Sequence, residues 1–561
     1  MTLQRLRRLT LAWAAAALVA FAVLAATSGV PQGPEGTLIA GSLQFRVQIA
    51  LLALAAAGLL TALRHPVTGG ALLVVAAAGI GVFAAFEYRP AAAVFPFLAL
   101  FVPGALLIAG ELATRRSPWI VLAAASLALV LAGGGVAAGR VYDYAFGPTH
   151  PASTVRLADG PVDWIWSGAP SATGAAVVAR IDDPGAAVRL VVGTREDLAD
   201  AAIRIVPAAR TDRGVVRFVV DRLTPGLTYH YALEIDGRLD TTRAGRFRTV
   251  PDGPASFRVA IGGCARTGSN GRVFDAIRAT RPDLYLMVGD MYYGDIGRDD
   301  PGAFRDALDE ALTRPGQQAL HLATRVAYTW DDHDYGPNDS GADSPTRHAA
   351  QTVFREYAPH GALPGGAAQG TIQEAFTMGR VRFLKLDLRS GRDSDAQPDG
   401  PAKSMLGDAQ RTWLERELTH AAARHQAVVL ISSVPWIAAT AAGADHWGGF
   451  AWERAELSRV MAAHGVQGVI VAGDAHMVAL DDGSHADYSG TGRARLPVVH
   501  GAALDRHSEV KGGPYSEGVH GGGGQFGTMA VQDDGTRIRV TLAGRDWRGD
   551  VLVSGTYTLR P

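Results

Sequence analysis

Residues 284–295 read Leu-Tyr-Leu-Met-Val-Gly-Asp-Met-Tyr-Tyr-Gly-Asp. The first five are apolar, a run short enough for a buried strand. It closes on Gly289-Asp290, a pair that can turn sharply and leave a carboxylate at the strand's C-terminal end. Open α/β sheets place their sites at that edge. A carboxylate has two oxygens, so Asp290 can bridge two cations, and Tyr293, three residues on, can reach one of them. A Gly-Asp pair after a strand is also an ordinary turn, so the argument rests on what other strands bring to the same edge.

Strand candidates recur at residues 257–261, 284–288, 326–329, 381–386, 427–431 and 466–471, with helical spacing in 272–280, 304–322, 408–423 and 452–464. This alternation predicts an α/β layered domain. A polar cluster follows nearly every strand. In order these are Gly262-Gly263-Cys264; Gly289-Asp290 with Tyr293; Trp330-Asp331-Asp332-His333-Asp334 running on to Asn338; Asp387 and Arg389; Ser432-Ser433; and Gly473-Asp474-Ala475-His476. Taken singly each has a plain structural reading. Cys264 can be a small buried apolar residue, Asp331 and Asp334 can be caps or turn residues, and Arg389 can pair with Asp387 or Asp393. Jointly they place more carboxylates on one edge than a nucleophilic triad needs. A two-metal site needs them: a bridging ligand, separate ligands for each ion, and a histidine near the substrate.

Order and wording of these motifs resemble the alkaline phosphatase D (PhoD-like) family of metallophosphoesterases. The resemblance is carried by Gly263-Cys264, Gly289-Asp290-x-x-Tyr293, Trp330-Asp331-Asp332-His333-Asp334 with Asn338, Leu386-Asp387-x-Arg389, Leu406-Gly407-x-x-Gln410-x-x-Trp413-Leu414, Ser432-Ser433-x-Pro435-Trp436, Asp445-x-Trp447-x-x-Phe450 with Glu453-Arg454, and Gly473-Asp474-x-His476. It implies a phosphoric ester hydrolase in which a metal-bound hydroxide attacks phosphorus. It further implies Cys264, Asp290, Tyr293 and His476 at one metal, and Asp290, Asp332 and Asp474 at the second with Asn338 nearby. His333 is then the catalytic histidine, oriented by Asp334, and Arg389 takes a phosphate oxygen. Three anionic donors and a hard phenolate favour Fe3+ over zinc at the first metal; an all-oxygen set favours Ca2+ at the second. Past His476 the match blurs, and residues 499–524, rich in Gly and holding His500, His507 and His520, have no clear counterpart.

The elements before this domain must position it. Residues 155–250 read as short strands with turn signals, and residues 223–231 resemble the Leu-x-Pro-x-x-x-Tyr-x-Tyr end of a fibronectin type III-like module. Five apolar runs precede it, at residues 9–26, 47–63, 69–86, 91–110 and 118–138. Each approaches the roughly 20 residues that span a bilayer. Arg5, Arg7, Arg8, Arg64 and Arg115-Arg116 alternate with a loop, 27–42, that lacks Lys and Arg, which places the N-terminus inside and the chain after Arg140 outside. The expected architecture is therefore multidomain: an N-terminal helical transmembrane region at 1–140, a small β-sandwich (fibronectin type III-like) at 150–252, and a C-terminal α/β layered metallophosphoesterase domain at 253–561. That makes it a multi-pass plasma-membrane protein, in contact with the lipid bilayer, whose catalytic domain is extracytoplasmic and meets a phosphate-ester substrate. A formal net charge of −1 gives no nucleic-acid-binding signature, and a single cysteine excludes an internal disulfide. Two other readings are a phosphodiesterase acting on phospholipid or wall polymer, and a membrane receptor that senses phosphate without turnover.

Overall fold

The structure is a computed structural model that describes residues 3–27, 43–87, 97–114, 151–364, 366, 370–506 and 510–561. The chain divides into two compact units, Met1–Ala145 and Phe146–Pro561.

The first unit contains helices Leu3–Thr27, Leu43–Ala62, Pro66–Glu87 and Val102–Thr114, the last preceded by a π-helical turn, Phe97–Phe101. Small residues let the helices approach closely: Ala14, Ala55, Ala62, Ala76 and Ala77 form its core with Leu73, Leu100 and Leu107. Among the described residues no helix is long and apolar enough to cross a membrane. This overturns the expected transmembrane region, and with it the multi-pass plasma-membrane location and the contact with a lipid bilayer. The run 91–110 shows why counting apolar residues misleads. Its described part begins with the π-turn, and the α-helix that follows has 13 residues, about 20 Å against the roughly 30 Å of a hydrocarbon core. Arg7 is also no flanking anchor: its guanidinium donates to the carbonyls of Ala62 and Leu63 at 3.0 and 2.6 Å, capping the end of another helix. The run 118–138 lies outside the described residues.

The second unit begins with β1 (Val162–Gly168), β2 (Ala175–Ile181), β3 (Val188–Gly193), β4 (Ile203–Ile205), β5 (Ala209–Arg210), β6 (Val215–Val220), β7 (Thr228–Ile235) and β8 (Arg238–Arg248). They form two four-stranded antiparallel sheets, ordered β1-β2-β6-β5 and β4-β3-β7-β8. Val177, Leu190, Phe218 and Tyr231 from both sheets share one core. Asp236 and Gly237 join β7 to β8 with positive φ at both residues, 48° and 79°, the mirror-image turn that suits the strand twist. The Tyr229 hydroxyl accepts from the Thr224 amide at 2.8 Å, pinning the turn before β7. Trp164 and Trp166 of β1 face the rest of the unit. Their indole N–H groups donate to Asp309 Oδ1 and to the Tyr357 carbonyl, at 2.9 and 3.0 Å.

The remaining strands are β9 (Phe257–Gly262), β10 (Leu284–Val288), β11 (Arg325–Thr329), β12 (Glu374–Met378), β13 (Val381–Lys385), β14 (Ala427–Ser432), β15 (Gly468–Ala472), β16 (Met477–Asp481), β17 (Val498–Gly501), β18 (Gly518–Gly521), β19 (Gln525–Asp533), β20 (Ile538–Asp546) and β21 (Val551–Leu559). They build two mixed sheets, β11-β10-β9-β19-β20-β21 and β12-β13-β14-β15-β17-β16-β18. β9–β11 are parallel in the first and β13–β15 and β17 in the second. Side chains alternate along a strand. Leu284, Leu286 and Val288 of β10 meet Phe383, Val429 and Val471 of the other sheet between the layers. Tyr285 and Met287 turn to the opposite face, against Phe304 and Leu320. Leu384, Leu430 and Ile470 pack on helices Gly407–Ala423 and Ala451–Ala463. The order of layers is helix, sheet, sheet, helix.

The two sheets touch where their parallel strands end. A Cβ on Gly289 would lie 2.6 Å from Asp331 Cβ, and one on Gly473 would lie 2.4 Å from the Val288 carbonyl oxygen and 2.8 Å from that of Ser433. Only glycine lets the ends of β10, β11, β14 and β15 meet this closely.

Candidate metal centre

Three strands end in the same way. β9 runs into Gly263-Cys264, β10 into Gly289-Asp290 and β15 into Gly473-Asp474. Cys264, Asp290 and Asp474 take left-handed φ values of 58°, 53° and 61°. Such a conformation costs a side-chain-bearing residue about 1–3 kcal/mol and gathers at functional sites. Backbone bonds hold it: Cys264 N donates to the Gly289 carbonyl at 3.2 Å, Ala265 N to that of Asp290 at 2.8 Å, and Gly473 N to that of Ser432 at 3.1 Å. The conformation turns a thiol and two carboxylates off the strand ends into one place.

There the Cys264 thiol lies 3.5 Å from Asp290 Oδ2. The Tyr293 hydroxyl lies 3.0 Å from His476 Nε2. Asp290, Asp332 and His333 bring one ligand atom each within 4.8 Å of one another, and so do Asp332, Asp339 and Asp445. Asp290 Oδ1 and Asp474 Oδ2 are buried without a hydrogen-bond partner. Burial raises the Asp290 carboxyl above its usual range and pushes that of Asp474 up to about 7, despite Lys511 beside it. Burial, then Asp290 and Asp474, push the Cys264 thiol well up. A desolvated acid with an orphaned oxygen is neutralised by a proton or by a cation. Thiol, phenol, imidazole and carboxylate together are a metal-binding set, so these residues fit metal ions.

Asp332 is the exception. Burial works against its charge, but His333 and Arg389 outweigh it and hold the carboxyl below its usual range. Its Oδ1 accepts from the His333 amide at 3.0 Å and its Oδ2 from the Asp339 amide at 2.7 Å. Asn338, expected beside the second metal, is exposed, as is the neighbouring Asp339, which supplies a carboxylate of the second acidic group.

Two expected roles do not match the geometry. Asp334 does not orient His333. Its Oδ1 accepts from the Asp331 amide at 2.6 Å, and its Oδ2 from the Met291 amide at 3.1 Å and the Tyr328 hydroxyl at 2.7 Å. It braces the loops instead. His333 Nδ1 is partnered by Asp295, and its ring lies over that of Tyr293 with centroids 4.1 Å apart. Burial disfavours the imidazolium, but Asp295, Asp332 and Asp290 outweigh it and raise the His333 pKa well above the ordinary value. Arg389 does not offer its guanidinium to a phosphate. It is fully buried, with Nε 2.7 Å from Asp331 Oδ1 and its two terminal nitrogens 2.7 and 2.9 Å from the Asp445 carboxylate. Neither Asp387 nor Asp393 is its ion-pair partner. Asp387 instead accepts from Trp330 Nε1 at 2.8 Å and the Ile372 amide at 2.8 Å.

Of the unplaced histidines, His500 is fully buried with Nε2 3.1 Å from the Tyr515 hydroxyl, His520 is exposed on β18, and His507 lies outside the described residues. The residues that sequence reasoning missed are Asp295, Asp339, Asp445, Arg506 and Lys511. Asp295 and Asp445 stand inside motifs already noted, so a signal was present. Arg506 and Lys511 sit in the Gly-rich stretch after β17, where spacing carries none.

The PhoD-like phosphatase family matches residues 259–498. Among solved structures, one described as "Structure of PhoD" superposes with a TM-score of 0.57 at 17% identity, over 73% of this chain and 92% of that one. A dimetal phosphatase from Danio rerio is more distant, with a TM-score of 0.32 at 14% identity over 55% of this chain and 99% of that one. No curated protein matches the chain. The family match covers all six strand ends that build the centre, and the superposition shows the PhoD fold. The match to the PhoD-like phosphatase family over residues 259–498 supports a metal-dependent phosphoric ester hydrolase.

Proposed function

We propose that the centre binds two kinds of metal ion and hydrolyses a phosphate ester between them and His333. The observation that carries this reading is the pair of buried, unpartnered oxygens, Asp290 Oδ1 and Asp474 Oδ2, beside the group Asp290–Asp332–His333. Cys264, Asp290, Tyr293 and His476 would hold Fe3+. Asp290, Asp332 and Asp474 would hold Ca2+, with Asn338 nearby and Asp339 within reach of Asp332. When bound, such ions neutralise phosphate charge and acidify water.

The protein's own residues do the rest. Asp295 accepts at His333 Nδ1 and so leaves the other ring nitrogen to face the centre. A proton on that nitrogen can pass to the ester oxygen as its bond to phosphorus breaks. Arg389 fixes Asp331 and Asp445 and lends positive charge to Asp332 at 3.7 Å. Tyr293 walls the imidazole, and the β1–β8 module closes the far side of the helical layer through Trp164 and Trp166.

The test is turnover of p-nitrophenyl phosphate and bis(p-nitrophenyl) phosphate by protein loaded with iron and calcium, alongside elemental analysis. Asp290→Ala is expected to lose both metal and activity. Failure of the wild type to hydrolyse any phosphate ester at full metal occupancy would refute the reading.

A further inference from the structure

Arg389 is committed to Asp331 and Asp445. Other positive charge comes from the segment after β17, beyond the last residue of the family match. The Arg506 guanidinium lies over the Tyr293 ring, 4.2 Å from its centroid, and the residue is 8% exposed. Lys511 Nζ lies 2.8 Å from Asp474 Oδ1, and its charge also reaches Asp332. One cation enters over the phenol and the other at a strand-end carboxylate.

The segment carrying them is anchored at several points. Leu504 N donates to the Gly263 carbonyl at 3.0 Å, and Arg266 N to Asp505 Oδ1 at 2.6 Å, tying the segment to the β9 end that bears Cys264. On the other side Gly513 N donates to the Ile437 carbonyl at 2.9 Å. The Tyr515 hydroxyl lies 2.9 Å from the Lys511 carbonyl and 3.1 Å from the buried His500 Nε2. The backbone is thus held at residues 504–505 and at 511–515, while the Lys511 side chain keeps 27% of its surface exposed. An ammonium on a four-carbon stem can exchange a carboxylate oxygen for a phosphate oxygen without moving the backbone.

We propose that Lys511 and Arg506 bind the non-bridging oxygens of the substrate phosphate and favour the dianionic monoester over the monoanionic diester. The inference rests on the phosphoesterase reading above. A monoester brings one more unsubstituted oxygen and about one more negative charge at neutral pH, so removing a cation weakens it more than a diester. A charge-assisted bond of this kind is worth roughly a 10–100-fold change in affinity.

The experiment compares metal-loaded wild type, Lys511→Met, Lys511→Arg and Arg506→Gln. KM and kcat are measured on p-nitrophenyl phosphate and bis(p-nitrophenyl) phosphate, together with inhibition by inorganic phosphate and metal content. Lys511→Met is expected to raise the monoester KM and the phosphate inhibition constant by about 10-fold or more. It also shifts the kcat/KM ratio toward the diester by a similar factor. Lys511→Arg recovers part of the loss, and Arg506→Gln, checked for its fold by circular dichroism, moves the ratio in the same direction. An unchanged ratio with unchanged phosphate inhibition overturns the proposal, as does loss of metal from Lys511→Met protein in place of a change in phosphate binding. If the wild type hydrolyses neither ester, the reading of the centre itself fails. Calorimetric titration of inorganic phosphate into wild type and Lys511→Met then decides the proposal separately, equal affinities overturning it.

Discussion

His333 Nδ1 lies 2.6 Å from Asp295 Oδ1, and that carboxylate comes from the loop that follows β10, not from the residue next to the histidine in sequence. Adjacent residues on a turn point their side chains apart, so Asp334 reaches inward to Tyr328 while His333 faces Asp295. The two aspartates therefore have separable functions.

Asp295→Asn is expected to lower kcat by about 10–100-fold with a KM change under about 3-fold, less than the roughly 10²–10⁴-fold loss expected for His333→Ala. Metal content stays at the wild-type level in both. Asp334→Asn does the reverse: it lowers the urea midpoint, because three donors lose a carboxylate acceptor, and affects kcat only as far as the fold loosens. Steady-state kinetics and urea titrations on the three variants check this. A larger kcat loss for Asp334→Asn than for Asp295→Asn, at equal stability, would return the orienting role to Asp334.

A phenolate on ferric iron absorbs in the visible range, whereas calcium is colourless. Iron-loaded protein should be coloured, and Tyr293→Phe should abolish the colour, because the Tyr293 hydroxyl sits 3.0 Å from His476 Nε2 in the set proposed for iron. Selective chelation of calcium should remove activity and leave the colour. An active, colourless enzyme containing zinc and no iron would sink the metal assignment.

Asp309 ties the β1–β8 module to the helical layer. It accepts from Trp164 Nε1 at 2.9 Å, pairs with Arg180 at 2.5 Å and lies 3.3 Å from the Tyr357 hydroxyl. Asp309→Ala leaves a buried indole N–H without its acceptor and is expected to cost about 2–4 kcal/mol. Urea titration followed by tryptophan fluorescence reads it. A loss under about 0.5 kcal/mol would show that the module docks through its apolar contacts alone.

How far the sequence could be read depended on how local the cause was. β10 was legible because a strand buried on both faces is a short apolar run, and Gly289-Asp290 marks its end. The convergence of Cys264, Asp290, Asp332, Asp474 and His476 was legible because each follows a strand. The division of those strands between two sheets was not, since apolar periodicity says which face is buried and not which sheet a strand joins. Partners far apart in sequence were equally hidden. Arg389 has Asp387 two residues away, yet it binds Asp331 and Asp445, 58 and 56 residues distant, because loops from β11 and β14 meet there. The N-terminal runs mark the opposite error. Hydropathy counted residues across 91–110 and could not see that Phe97–Phe101 is π-helical and that the α-helix starts at Val102.

The last prediction concerns acid stability away from the metal centre. His321, on the helix Pro315–Ala323, is 2% exposed and lies against Trp166 and Tyr285, with ring centroids 5.3 and 6.3 Å away. Burial lowers its pKa from 6.5 to about 3. The unfolded chain therefore binds a proton near pH 6.5 that the folded chain refuses until about pH 3, and the unfolded state gains protons first as the pH falls. Stability from this residue is complete above pH 6.5 and is lost progressively between pH 6.5 and 3. At pH 5 the loss is about 2 kcal/mol, from roughly 1.5 pH units at 1.36 kcal/mol each. His360, lowered to about 4 by burial and then by Arg217 beside it, adds in the same direction. His321→Gln removes one titrating group whatever it does to stability at neutral pH. The stability difference between pH 7.5 and pH 5, from urea titrations, should thus be smaller in the variant than in wild type by about 2 kcal/mol. Loss of metal at low pH affects both proteins alike and cancels in the comparison. Equal losses in the two would mean that His321 takes up its proton in the folded state, against the burial described here.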